Sequence, residues 1–230
     1  MNRTIGTVLG LALATGACAR EGEVAMDKTY MESTLAGAWY DANPARLKTE
    51  LDGYLQAAQV ASDPSIFAVI VPHAGYAYSG PCAAFGMKAL AARKDLARVV
   101  VVGFSHRVPM PDRVSLPARE THYRSPLGET PLDTAAIAAL MGNPLFADVP
   151  ATRRGENSVE LQLPLLQAAL AGRDWKLVPV TLGQLDDEAR GQAAAALGAL
   201  RDGRTAFVVS SDFTHYGPNF AYVPFRTNVA

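Results

Sequence analysis

The amino-acid sequence predicts a single α/β domain with a mostly parallel central sheet and helices on both faces. Three observations lead to this prediction. Short runs of β-branched and other apolar residues alternate with helical segments of ten or more residues, which is typical of βαβ units. The runs are continuously apolar, as expected for parallel strands that are buried on both faces. The chain has 230 residues, of which 49% are hydrophobic, and can therefore bury one sizeable core.

We expect the folded part of the chain to begin close to residue 35. The first predicted element in it is a helix. Asn43 suits the N-cap of this helix, and Pro44 suits its first position. Leu47, Leu51 and Leu55 follow at a spacing of four residues and form one apolar face.

The remaining elements follow from apolar runs and from residues that favour helix starts. Buried strands are predicted at 66–71, 97–102, 176–182 and 205–209. Helices are predicted at 82–92, 133–141, 158–170 and 186–200. The proline-rich stretch 107–132 is predicted as a long loop with one short strand at 114–116. His122 in this loop is expected at the surface, where loops usually run.

The N-terminal segment up to Cys18 resembles an export signal and not a part of the fold. Arg3 supplies a short positive region, and residues 5–17 form an apolar stretch that is too short to span a bilayer. Residues 15–18 resemble the lipobox of bacterial lipoproteins, with Cys18 as the lipid acceptor, and ordinary cleavage near this position is the alternative. We therefore expect an exported protein, periplasmic or lipid-anchored in the cell envelope, with residues 19–33 as a linker.

Charge and cysteine content limit the partners and the covalent cross-links of the chain. A formal net charge of −1 gives no basic surface for nucleic acid. The two cysteines are Cys18 and Cys82, so cleavage or lipidation at Cys18 would leave no intrachain disulfide. The fold must then be held by its core, and membrane contact is expected only through a lipid on Cys18.

Three of the four histidines lie just past the end of a predicted strand. His73 follows the first strand, His106 follows the second, and His215 follows the last. Because the carboxyl ends of parallel strands form the usual ligand-binding edge of an α/β sheet, these imidazoles suggest a metal site with a capacity for catalysis. The alternative for His73 is that it only satisfies backbone hydrogen bonds.

Asp212 and His215 are three residues apart directly after the last predicted strand. If a helical turn begins there, the two side chains share a face. The carboxylate could then orient the imidazole and raise its basicity, which would make His215 a candidate general base. Asp212 as a helix N-cap is an alternative that is compatible with this role.

Two further motifs near the predicted site are weaker signals. Gly103 and Ser105 resemble the first half of a nucleophile elbow, but Arg107 stands where the closing glycine is needed. Ser105 is therefore expected to hydrogen-bond the local backbone or a neighbouring ligand. Glu156 and Glu160 are expected to form a solvated helix start, with the alternative that one of them points into the site.

Five segments of the chain, in this order, resemble the Memo family, also called AmmeMemoRadiSam system protein B. They are AGAWYDANP (36–44), HAGYAYSG (73–80), GFSH (103–106), ENSVELQLP (156–164) and SSDFTHYG (210–217). They cover roughly residues 35–225 and are highly specific as a set. The resemblance implies a fold similar to that of the class III extradiol dioxygenases, which are non-haem iron enzymes. The link to their reaction is an analogy at the level of the fold.

The resemblance also implies roles for individual residues. His73 and His106 match the two metal-ligand histidines of the family, for which iron or reduced copper is the implied metal. Asp212 and His215 match residues of the same pocket, with His215 at the position of a catalytic base. Asn157 stands where the family often has histidine, which removes one polar group from the pocket.

A second departure from the family concerns the third metal ligand. The family continues into a cysteine-containing segment that completes the metal site, and residues 226–230 do not resemble it. We therefore expect this ligand to be missing, as in a truncated or frame-shifted gene product. Cys82 is not expected to replace it, because Cys82 lies inside a predicted helix.

The functional prediction is a Memo-like metal-binding protein, more specifically a non-haem-iron or copper redox metalloprotein with an oxygenase-like pocket. If it is an enzyme, a dioxygenase-like metal-dependent oxidoreductase is expected. The alternatives are a non-catalytic module that binds a metal, peptide or small ligand, and a hydrolase whose metal activates water. With only two protein ligands we expect weak metal binding.

Overall fold

The computed structural model describes residues 27–225, which contain nine strands and six α-helices. The strands are β1 (Tyr30–Glu32), β2 (Ala68–Val71), β3 (Arg98–Phe104), β4 (Val114–Ser115), β5 (His122–Ser125), β6 (Gly128–Pro131), β7 (Phe146–Ala147), β8 (Lys176–Leu182) and β9 (Thr205–Ser210). The helices are α1 (Pro44–Ala57), α2 (Tyr76–Ala91), α3 (Thr134–Met141), α4 (Asn157–Glu160), α5 (Gln162–Ala169) and α6 (Asp187–Gly198). The predicted signal peptide and Cys18 lie outside the described residues. Within these residues no helix is both long and apolar enough to cross a membrane.

The larger of two sheets has six strands in the order β2-β9-β3-β8-β4-β7. Its first four strands are mutually parallel, and β4 runs antiparallel to β8. A smaller sheet has the order β1-β5-β6, in which β1 is parallel to β5 and β6 is antiparallel to it. These sheets and helices confirm the predicted single α/β domain with a mostly parallel sheet.

The central strands of the larger sheet are buried on both faces, but its edge strand is not. Consecutive valines of β3, Val99 to Val101, are all fully buried. In β2 at the edge, α2 covers one face, and a Cβ added at Gly86 of this helix would lie 2.5 Å from Val71 Cγ1. Ile70 points the other way and is 59% exposed. The prediction that the 66–71 run is buried on both faces is therefore wrong for this edge strand.

Helix caps follow the sequence closely. Asn43 accepts hydrogen bonds from the backbone of α1, and Asp133 and Asp186 do the same for α3 and α6. The helix predicted at 158–170 is instead two short helices that break at Leu161. Pro164 explains this break, because it has no N–H to donate and its ring crowds the carbonyl four residues earlier.

The smaller sheet corrects two predictions. Tyr30–Glu32 pairs with β5 as strand β1, so the fold starts within the stretch 19–33 that the sequence predicts as a linker. The predicted long loop 107–132 contains the strands β5 and β6, whereas β4 of the larger sheet coincides with the short strand predicted at 114–116. His122 begins β5 and is half-buried, with its ring centroid 6.0 Å from that of Tyr30. The strands of this sheet are short, because β1 has three residues and β5 and β6 have four each. β5 and β6 pair as a hairpin, but β1 pairs with β5 at a separation of 92 residues, so local periodicity does not indicate this sheet.

Asp133 supports a prediction on pH-dependent stability. Its carboxylate caps α3 and also accepts a 2.7 Å hydrogen bond from Arg98 Nε. Burial raises the pKa of Asp133, but the bonds from Ala136 and Arg98 outweigh it and leave this pKa below its usual value of 3.8. We expect Asp133→Asn to keep the cap but lose the charge pair, which should lower the free energy of unfolding by about 2 kcal/mol at pH 7.

The same change should respond to pH with a defined sign. A carboxyl group with a depressed folded pKa stabilises the fold above its unfolded pKa, and this stabilisation is lost as the pH falls through the folded pKa. The melting temperature of the parent should therefore exceed that of Asp133→Asn by its full amount above about pH 5, and this difference should shrink and then vanish as the pH falls. Thermal unfolding from pH 7 to pH 2 measures it, and a pH-independent difference would contradict the prediction.

Candidate functional site

The carboxyl ends of three adjacent strands bring the predicted site residues together. β9 lies between β2 and β3, so the chain segments that follow these strands meet at one edge of the sheet. The imidazole centroids of His73 and His106 are 5.2 Å apart, in an edge-to-face arrangement. His73 Nε2 lies 3.8 Å from Asp212 Oδ2, and this oxygen lies 3.3 Å from His215 Nε2. All four predicted site residues are therefore close together.

His73 is buried and held from several directions. Its backbone N–H donates to Asp212 Oδ1 at 2.8 Å, and its carbonyl accepts from Asn157 Nδ2 at 3.0 Å. Its ring Nδ1 lies 3.0 Å from Ser210 Oγ. Burial lowers the pKa of His73 below the usual 6.5, and the nearby Asp212 only partly opposes this effect. The ring therefore stays neutral at physiological pH, which is the form that binds metals.

The support behind His73 is uncharged. Gln162 Nε2 donates to Ser210 Oγ at 2.9 Å and to the carbonyl of Pro72 at 2.9 Å. These bonds tie the start of α5 to the ends of β2 and β9. Gln162 Oε1 is buried with no hydrogen-bond partner in the described part of the chain. A buried amide oxygen without a partner costs free energy, so this corner of the site has one unsatisfied acceptor.

His106 is held by a single carboxylate. Its backbone N–H donates to Glu156 Oε2 at 2.7 Å, and its ring Nδ1 lies 2.8 Å from Glu156 Oε1. Glu156 is 4% exposed and is the N-cap of α4, where it accepts from the backbone of Ser158. Burial by itself raises the pKa of Glu156, but the bonds from Ser158 and His106 outweigh it and leave the pKa below its usual value.

The structure overturns the expectation that the two glutamates form a solvated helix start. Glu156 is buried against His106. Glu160 is buried as well, but it faces the N-terminal part of the fold and not the site. Its carboxylate accepts hydrogen bonds from the backbone of Thr34 and Leu35 and from the hydroxyl of Tyr40. The sequence places both glutamates at a predicted helix start, but it does not indicate their hydrogen-bond partners.

Asp212 and His215 are arranged differently from the sequence prediction. Residues 211–216 form no helix, so the predicted helical turn and the alternative N-cap role of Asp212 are both wrong. Asp212 instead accepts the backbone N–H of His73, which joins the chain after β9 to the chain after β2. The His215 side chain is 57% exposed, with its ring 5.0 Å from that of Phe220. Asp212 therefore stands between a buried and an exposed imidazole.

Three other candidate residues take no part in this cluster. Ser105 is buried, and its hydroxyl donates to the carbonyl of Val108, as expected from its incomplete motif. Cys82 lies within α2 and is exposed, in agreement with its predicted helical position. His122 contacts Thr121 in the smaller sheet.

The donor set fits two positions of a metal site but not a three-residue site. Within residues 27–225, no group of three His, Cys, Asp or Glu side chains is arranged to hold a metal ion. His73 and His106 are the side chains that fit, because Nδ1 of each ring faces a protein oxygen and Nε2 lies on the opposite side of the ring.

Comparison with known proteins agrees with the sequence resemblance. The family model described as Memo-like protein matches residues 31–229. The chain is 34% identical over 195 residues to Protein MEMO1 of the zebrafish Danio rerio and 33% identical to Protein MEMO1 of Homo sapiens, each alignment covering 83% of this chain. It is 33% identical to the Protein memo-1 homolog of Caenorhabditis elegans. The alignments span 64% of the length of the two vertebrate proteins and 54% of the nematode protein. The chain therefore belongs to the Memo family.

Proposed function

We propose that this protein binds a redox-active metal ion, iron or copper, through His73 and His106 in an oxygenase-like pocket. The observation that carries this proposal is the pair of imidazoles with centroids 5.2 Å apart, each backed at Nδ1 by a protein oxygen. Imidazole nitrogens suit both metals. A bound ion of this kind would supply Lewis-acid and electron-transfer chemistry at the strand edge.

His215 and Asp212 are proposed to handle protons beside the metal ligands. His215 Nε2 lies 3.3 Å from Asp212 Oδ2, so the carboxylate can orient this ring. The exposure of His215 lets it exchange protons with water. Asp212 also fixes the His73 backbone through its other oxygen, so a single carboxylate supports both the ligand and the base.

A non-catalytic binding module is the second candidate function. It is favoured by the lack of a three-residue metal group in the part of the chain that the structure describes. Two protein ligands hold a metal weakly and leave its remaining positions to solvent or to another ligand. The same pocket would then bind a metal, a peptide or a small molecule without turning it over.

Single histidine variants test the metal proposal. We expect His73→Ala and His106→Ala to lose binding of Fe(II) and Cu(I), while His215→Ala retains it. His122→Ala is the matched control, because His122 lies in the smaller sheet. Metal content after equilibrium dialysis and competition titration measures the effect, with circular dichroism as the check on folding. Loss of metal in His215→Ala, or equal loss in all four variants, would contradict the assignment.

Oxygen consumption separates the two candidate functions. The iron-loaded protein is assayed with catechol-type substrates, and His215→Ala is the companion variant. Turnover by the parent and its loss in the variant would support an oxygenase-like enzyme. Bound metal without turnover would support the non-catalytic module, and a clear preference for a redox-inactive metal such as zinc would support the hydrolase alternative.

A further inference from the structure

We propose that Glu156 is a positioning residue that sets the tautomer and the direction of the His106 ring, so that the Nε2 lone pair of this ring faces the site. The proposal rests on the proposed metal-binding function for its purpose, but the geometry that it describes exists in the metal-free chain. In this proposal Glu156 does not bind the metal itself and acts only through His106.

The contact is a two-point clamp on one residue. Glu156 Oε2 takes the backbone N–H of His106 at 2.7 Å, and Oε1 lies 2.8 Å from the ring Nδ1. The hydrogen bond to the backbone fixes the position of the His106 main chain. The contact with the ring fixes the rotation of the His106 side chain. The His106 side chain is 43% exposed, so packing alone holds it only loosely. The two contacts with Glu156 therefore restrain the orientation of the His106 ring, whereas burial restrains the ring of His73.

The clamp also determines which ring nitrogen carries the proton. An ionised carboxylate has only acceptor positions, so Nδ1 of His106 must be the N–H donor and the neutral ring must have a bare Nε2. The corresponding contact of His73 is to the hydroxyl of Ser210, which can either donate or accept. Of these two imidazoles, only that of His106 lies within hydrogen-bond distance of a carboxylate in the described part of the chain, because Asp212 Oδ2 is 3.8 Å from His73 Nε2.

Glu156 is itself rigidly supported. It caps α4, and the next residue but one, Ser158, joins this helix to the end of β3. Ser158 Oγ accepts the backbone N–H of Phe104 at 3.0 Å and donates to the carbonyl of Phe104 at 2.7 Å. The Glu156 carboxylate therefore lies at the start of α4 and the His106 imidazole just after β3. The Ser158–Phe104 hydrogen bonds join these two elements beside the clamp. Such support favours a fixed ligand direction before any metal binds.

Nitrogen-15 NMR of the histidine rings in the metal-free chain tests the tautomer directly. We expect the neutral His106 ring of the parent to carry its proton on Nδ1. In Glu156→Gln, which conserves the side-chain volume, the amide can donate as well as accept, so a mixture of tautomers is expected. Glu188→Gln, an exposed residue of α6, is the matched control and should leave the spectrum unchanged. His106→Gln assigns the signal.

Metal titration of the same proteins gives the second readout. Glu156→Gln should raise the dissociation constant for Fe(II) or Cu(I) by about 10- to 100-fold, as is typical for loss of the group behind a metal-bound histidine. A parent His106 ring with its proton on Nε2, or an unchanged tautomer in Glu156→Gln, would overturn the positioning role. If the tautomer shifts as expected but neither protein binds metal, the positioning role holds and the proposed metal site fails.

Discussion

Replacing Gly103 with alanine is expected to lower the free energy of unfolding by about 3 kcal/mol, at the upper end of overpacking effects. A Cβ at this position would lie 2.5 Å from Ser158 Oγ and 2.8 Å from Val159 Cγ2. Gly103 precedes Phe104, whose backbone N–H and carbonyl both bond to the Ser158 hydroxyl. The methyl group must therefore push the start of α4 away from β3, and Glu156 with it.

Urea denaturation measures this loss of stability, and the NMR signal of His106 reports the displacement of the clamp. Gly191→Ala is the matched control. Gly191 lies within α6, and a Cβ added there meets nothing within 4 Å. Alanine in a helix interior is favoured over glycine by about 1 kcal/mol, so this variant should be slightly more stable than the parent. Destabilisation of similar size in both variants would show that the contact with Ser158 is not the cause.

Replacing Glu160 with alanine should lower the free energy of unfolding by about 4 kcal/mol, because it removes the acceptor for two buried donors and one part-buried donor at once. The carboxylate binds the backbone N–H groups of Thr34 and Leu35 at 2.9 and 2.8 Å and the hydroxyl of Tyr40 at 2.8 Å. Burial and the charge of Glu160 raise the pKa of Tyr40, which keeps its hydroxyl protonated as a donor. The segment that contains β1 and Leu35 should then detach from the smaller sheet before the whole protein unfolds.

Urea denaturation and amide exchange of Leu35 together test this prediction. Exchange at Leu35 should accelerate in Glu160→Ala by more than the global destabilisation explains. Glu188→Ala is the control, because Glu188 is exposed on α6 and surface changes usually remain within about 0.5 kcal/mol. An unfolding free energy of Glu160→Ala within this range of the parent would refute the role of the buried carboxylate.

Features whose cause is local in sequence could be predicted. Asn43, Asp133 and Asp186 cap the helices that their positions indicate, and the buried run at 176–182 coincides with β8. The proximity of His73 and His106 could also be predicted from the sequence, because parallel strands place their carboxyl ends at one edge of the sheet. Each of these predictions needs only the residue types and their spacing.

Features that depend on distant partners could not be predicted. Glu156 meets His106 at a separation of 50 residues, and Glu160 meets Thr34 at a separation of 126. A local rule treats acidic residues of a first helical turn as solvated, since it contains no information on what packs against them. The exposed face of Ile70 has the same origin, because the strand order that puts β2 at the edge is a property of the whole chain.

The position of β9 has a consequence for how the molecule forms. Among the described residues β9 is the last strand to be synthesised, yet it lies between β2 and β3 and pairs with both along most of its length. During synthesis β2 and β3 must therefore wait, without their shared neighbour, for more than a hundred further residues to emerge. Pairing across such sequence distances is slow and leaves apolar strands exposed in the meantime. The histidine site should therefore form only after β9 has paired with β2 and β3, so a chain that carries the site has already joined these three strands.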